Sequence, residues 1–118
     1  MNRRISQSHQ VFLATRTIDM RKQINGLAQI IISQFGTDLY DGTLFVFCNR
    51  NRKTVKILCW DVDGFVLYHK RREQGRFPWP ALAAAAGETI SVSEQDMNRL
   101  LEGLVMEQFV PKPSYHML

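Results

Sequence analysis

Residues 43–80 read TLFVFCNRNRKTVKILCWDVDGFVLYHKRREQGRFPWP and hold three strand-like apolar runs, most of the aromatic residues and the excess of positive charge. The runs 44–48, 55–60 and 65–69 are rich in β-branched and aromatic residues, and turn-forming residues bound each of them. Between the second and third lies Asp63-Gly64. Glycine takes the positive φ of a two-residue hairpin turn at no steric cost and Asp tolerates it, so a tight hairpin is predicted there. Pairing Val62 with Phe65 across that turn sets Trp60 opposite Leu67 and Leu58 opposite His69 on one face. Cys59 then faces Tyr68, and Ile57 faces Lys70, on the other. Lys56, Lys70, Arg71 and Arg72 gather at the end away from the turn, where the connection Asn49-Arg50-Asn51-Arg52-Lys53 also opens.

Positions 50–76 carry eight Lys or Arg (Arg50, Arg52, Lys53, Lys56, Lys70, Arg71, Arg72, Arg76) against three acids (Asp61, Asp63, Glu73), a local charge of +5. The remainder holds seven cations and eight acids, so the net +4 of the chain is concentrated in this segment. Localised basicity favours an anionic partner such as nucleic acid.

Working outward, 118 residues suffice for one domain with one core. A hydrophobic fraction of 45% and a charged fraction of 22% are those of an ordinary globular protein. No apolar run approaches the roughly 20 residues needed to span a bilayer, and the basic start MNRRISQSHQ lacks the apolar region of a secretion signal. A cytoplasmic protein is the expectation. Cys48 and Cys59 have neither metal-knuckle nor redox spacing and are expected as buried, reduced thiols.

Towards the N-terminus, 10–15 (QVFLAT) predicts a short strand that joins the sheet. From Asp19 the pattern turns helical, with Ile24, Leu27, Ala28, Ile31 and Phe35 at three- and four-residue steps, Asp19 as N-cap and Gly36 as stop. Arg21 and Lys22 in that first turn oppose the helix dipole, either as a tolerated surface cost or because they face an anion.

Towards the C-terminus, Phe77-Pro78-Trp79-Pro80 is expected to be extended, since its prolines fit neither a helix interior nor a central strand. Its aromatics either cover the core or stack on a base or partner beside Arg76. The Ala-rich 81–86 reads as a spacer. Residues 89–92 form a short strand, and a helix begins at Ser93 with Asp96 completing a capping box, Val92 stapling on Met97 and Gly103 closing the end. Residues 1–9 and 110–118 are expected to be flexible tails of the single domain, 1–118.

No catalytic constellation emerges. Asp61 and Asp63 lack a third carboxylate, His9, His69 and His116 have no ligand or triad spacing, and the glycines are isolated. The expectation is a non-enzyme with no cofactor and no metal.

The motifs Asp19-Met20-Arg21-Lys22, Asn25-Gly26-Leu27 and Gly42-Thr43-Leu44-Phe45-Val46-Phe47, taken in order, carry a specific resemblance. So do Lys56-Ile57-Leu58-Cys59-Trp60-Asp61 with Gly64, the segment Lys70-Arg71 through Gly75-Arg76-Phe77 with Trp79-Pro80, and Leu100-Leu101-Glu102-Gly103. Together they resemble the TnpB-type transposition accessory protein, the second-frame product of a three-frame bacterial insertion-sequence family, which is unrelated to the RNA-guided nuclease of the same label. The Ala-rich insert after Pro80 departs from that pattern. The resemblance implies a role in mobile-element DNA transactions beside a separate transposase, and it supplies no catalytic residues.

The fold expected is α+β, a mostly antiparallel sheet of four or five strands with two helices, the first across one face. The function expected is non-catalytic assistance of transposition, binding DNA or a transposase–DNA complex through phosphate contacts from Arg50, Arg52, Lys53, Lys70, Arg71, Arg72 and Arg76, with Arg21 and Lys22 as additions. The alternative is a module that docks on the transposase, or on another protein of the element, through Phe77 and Trp79 without touching DNA.

Overall fold

The computed structural model describes residues 10–14, 16–35, 40–79 and 89–103. The expected tails 1–9 and 110–118, the helix stop at Gly36 and the Ala-rich 81–86 lie outside the described residues.

Five strands form one sheet in the order β4-β3-β2-β1-β5. They are β1 (Val11–Ala14), β2 (Leu44–Cys48), β3 (Thr54–Asp61), β4 (Gly64–Arg71) and β5 (Thr89–Val92). β1 runs parallel to β2, and the three other pairings are antiparallel. The expected α+β class with a mostly antiparallel five-stranded sheet is what the chain adopts.

Helix α1 (Ile24–Ile30), continued by a π-helical turn (Ile31–Phe35), lies in the connection between β1 and β2. Its Leu27, Ala28 and Ile31 pack with Phe12, Ala14, Phe45, Phe47 and Leu58. Helix α2 (Glu94–Leu101) packs Met97, Leu100 and Leu101 on the other face, against Val11, Leu13, Leu44, Val46, Val55 and Ile57. A helix on each face explains why the central strands VFLA and LFVFC are continuously apolar rather than alternating, and every residue in both is buried. Cys48 and Cys59 are free and buried, as expected.

Ser93 caps α2, its hydroxyl accepting from the Asp96 amide at 2.9 Å, and Gly103 follows the helix end at φ 84°. Helix α1 begins later than the sequence predicts. Its N-cap is Gln23, without a side-chain cap, whereas the Asp19 carboxylate accepts from the Arg21 amide at 2.9 Å and pairs with the Arg21 guanidinium at 2.6 Å. The apolar periodicity itself starts at Ile24, and the helix starts with it.

The β3–β4 hairpin forms as expected, but its register differs. Asp61 pairs with Gly64, Trp60 with Phe65, Leu58 with Leu67 and Lys56 with His69, so the turn residues are Val62-Asp63. The Asp63 amide donates to the Asp61 carbonyl at 2.6 Å about Val62, whose φ is 59°. That bond closes a γ-turn around a β-branched residue. A two-residue slip leaves every side chain on its original face, so hydrophobic patterning alone cannot distinguish the registers. The edge-to-face contact of Trp60 and Phe65, centroids 4.9 Å apart, favours the observed one.

Candidate nucleic-acid interface

Three segments converge at the end of the sheet opposite the β3–β4 turn. The first is the β2–β3 loop, 49–53, held by its asparagines. Asn49 Oδ1 accepts from the amides of Lys53 at 3.0 Å and Thr54 at 3.1 Å, and Asn51 Oδ1 accepts from Lys53 at 3.2 Å. The Arg52 amide donates to the Asn49 carbonyl at 3.1 Å, closing a tight turn that leaves Arg52 at φ 63°.

The second segment, 72–79, follows β4. The Arg72 amide donates to the Lys53 carbonyl at 2.8 Å and the Phe77 amide to the Arg52 carbonyl at 2.7 Å, so residues 19 and 25 positions apart in sequence are stitched together. The third, 16–22, is tied on by the Ile18 amide, which donates to the Cys48 carbonyl at 3.1 Å. Lys56 completes the tie. Only 1% exposed, it sends its ammonium to the carbonyls of Met20 and Lys22, both at 2.7 Å.

The sequence-predicted cations divide by what their side chains do. Lys70 donates to the Leu101 carbonyl at 2.6 Å, where a cation complements the C-terminal end of α2. Arg72 donates to the Gln74 carbonyl at 3.0 Å and lies 5.8 Å from the Phe77 ring centroid, and a side chain at Gly103 would collide with its guanidinium. Arg71 pairs with Glu73 at 3.2 Å. Arg21 pairs with Asp19, and the guanidinium beside it lowers the Asp19 carboxyl to about 2. By contrast, Arg50, Arg52, Lys53, Arg76 and Lys22 make no side-chain hydrogen bond or ion pair among the described residues, and Arg50 and Arg76 are exposed.

Phe77 is 1% exposed and belongs to the core under α2, so its ring is not presented at the surface. Trp79 is half-buried against the same core. Between the three segments a shallow cleft of about 570 Å³ is lined by Ile18, Met20, Asn49, Arg50, Asn51 and Arg76. Ile18, Met20, Asn49 and Asn51 are not among the site residues expected from sequence. The Asn-x-Asn spacing signals a side-chain-stabilised turn, but nothing local places residues 18 and 20 beside residues 49–51.

At the opposite end Tyr40 packs edge-on against Trp60, centroids 5.0 Å apart, and remains 58% exposed. Among the described residues no three His, Cys, Asp or Glu come together to hold a metal, and no helix is long and apolar enough to cross a membrane.

The family model described as IS66 Orf2 like protein matches residues 9–111. The chain is 35% identical over 98 residues to the uncharacterized protein y4hO of Sinorhizobium fredii, covering 83% of each chain. It is 29% identical over 108 residues to the uncharacterized protein y4jC of the same organism, covering 92% of this chain and 90% of that one. No solved structure matches. The chain belongs to the IS66 Orf2-like family, which is associated with insertion-sequence transposition, and the resemblance read from the sequence is borne out.

Proposed function

We propose that this chain is a non-catalytic accessory protein of transposition that binds DNA through the basic end of its sheet. The observation that carries the reading is the convergence of Arg50, Arg52, Lys53 and Arg76 on one surface with no internal side-chain partner among the described residues. Cations held together and left unpaired suit a polyanion, because each phosphate they meet releases condensed counterions. Arg21, Lys70, Arg71 and Arg72 border this surface. Each already has an internal contact, so they supply field more than direct contact. Lys22 adds to the free set. Nothing in the arrangement selects a base sequence, so phosphate contacts would position the protein rather than read DNA.

Family membership supports the second element of the proposal, contact with the transposase or another protein of the element. Trp79 remains a candidate anchor, and the exposed Tyr40 beside Trp60 and Phe65 offers an aromatic surface at the far end of the sheet. A protein contact at Tyr40 would lie at the end opposite the DNA, whereas one at Trp79 would lie in the segment 72–79 of the basic end. The test is the triple variant Arg50→Ala, Arg52→Ala, Lys53→Ala in a gel-shift series. A folded variant that loses DNA affinity supports the reading, and a folded variant with unchanged affinity refutes it.

A further inference from the structure

The cleft between the loop 49–53 and the segment 16–22 has a chemistry more particular than a basic surface. Ile18 and Met20 are half-buried and supply apolar surface, while Arg50 and Arg76 stand exposed at its rim. The two asparagines have committed their oxygens to the loop: Asn49 Oδ1 takes the Lys53 and Thr54 amides, and Asn51 Oδ1 takes the Lys53 amide. What Asn49 has left to offer is NH2, and Asn51 offers NH2 together with one oxygen lone pair. The Met20 carbonyl is occupied by Lys56 Nζ at 2.7 Å, and the Asn49 carbonyl by the Arg52 amide at 3.1 Å. The polar side chains lining the cleft therefore present mainly donors, two of them cationic and planar, over an apolar floor.

Such a surface fits an anion that carries a flat apolar body with carbonyl acceptors on its edge. A duplex satisfies the cationic rim with its phosphates but keeps its bases stacked, out of reach of Ile18 and Met20. An unpaired nucleotide satisfies both. The volume of about 570 Å³ lies within the range of about 300–1,000 Å³ common to ligand sites.

We infer that this cleft receives an unpaired nucleotide of a DNA strand, its base on Ile18 and Met20 and its phosphates on Arg50 and Arg76. The inference rests on the reading of the basic end as a DNA surface and names the form of DNA it takes.

The experiment is fluorescence anisotropy of the full chain with labelled thymidylate and adenylate oligonucleotides and with a blunt duplex, repeated for Met20→Ala. The Met20 carbonyl that holds Lys56 belongs to the backbone and survives that substitution. Met20→Ala is expected to weaken binding of both oligonucleotides by at least about fivefold while duplex affinity is unchanged. No effect of Met20→Ala on oligonucleotide binding, with duplex binding intact, overturns the cleft assignment and leaves the duplex surface standing. Binding of none of the three overturns both. Free thymidine monophosphate that competes as well as the oligonucleotide overturns the assignment to a DNA strand.

Discussion

The backbone amide of Phe77 donates to the carbonyl of Arg52 at 2.7 Å, and this bond joins the only two described segments that present unpaired arginines at the basic end. Its geometry has a cost and an anchor. Arg52 accepts the bond from a φ of 63°, and Phe77 holds the other side by burying its ring under α2. The placement of Arg76 beside Arg50 therefore depends on a core residue adjacent to it in sequence.

Truncating that anchor is expected to be expensive. Phe77→Ala should lower unfolding free energy by about 3–5 kcal/mol in a urea titration, the range for a fully buried aromatic. Trp79→Ala, which removes a half-buried ring, should cost about 1–2 kcal/mol. Its larger effect is expected on co-purification with the transposase.

Lys56 is the tie for the segment carrying Arg21 and Lys22. Lys56→Met keeps the volume but removes both contacts of 2.7 Å to Met20 and Lys22. Stability should fall by about 2–3 kcal/mol, because hydrogen bonds to a charged group contribute about 1.5–3 kcal/mol each and the released carbonyls regain water. Amide hydrogen exchange in residues 19–22 should accelerate more than in β2.

Val62 is strained and does not contribute to the core. It is 73% exposed at φ 59°, where a branched side chain is disfavoured and Asn is tolerated. Val62→Asn should raise stability by about 0.5–1 kcal/mol in the same titration. No gain would mean that the turn relaxes in solution.

Burial holds the Cys48 thiol up, at about 11, and raises that of Cys59 as well, with Asp61 adding to the effect. The folded state thus binds the Cys48 proton more tightly than the unfolded chain, whose thiol titrates near 9.0. The stability this contributes is complete below pH 9 and is lost as pH rises towards 11. Alkaline loss of stability should shrink in Cys48→Ala, and both thiols of the native protein should resist alkylation at neutral pH.

Much of the fold was legible because its signals are local. β2 and β5 fall where their apolar runs end, and the α2 cap is visible in Ser93 and Asp96. The α1 start was not, because Asp19 is an equally good partner for Arg21 two residues on, and only tertiary structure decides which it serves. The hairpin turn differs from the sequence expectation for a related reason: Asp63-Gly64 is the stronger dipeptide signal, but the Trp60–Phe65 pair lies outside any turn rule. In the site, the grouping of the basic loop with the end of β4 follows from strand direction and was legible. Which cations are spent on internal contacts was not, since Lys70 finds its carbonyl on α2, at Leu101. The burial of Phe77 and the approach of Ile18 and Met20 to Asn49 are likewise products of packing between distant segments.

The most direct measurement is the affinity of the purified chain for the terminal DNA of its element, and for a scrambled duplex, across a salt series. If Arg50, Arg52, Lys53 and Arg76 meet phosphates, log K should fall against log salt with a slope of about −3 to −4, nearly equal for the two duplexes. No binding at low salt, or binding whose slope is near zero, would contradict a DNA surface at the basic end of the sheet.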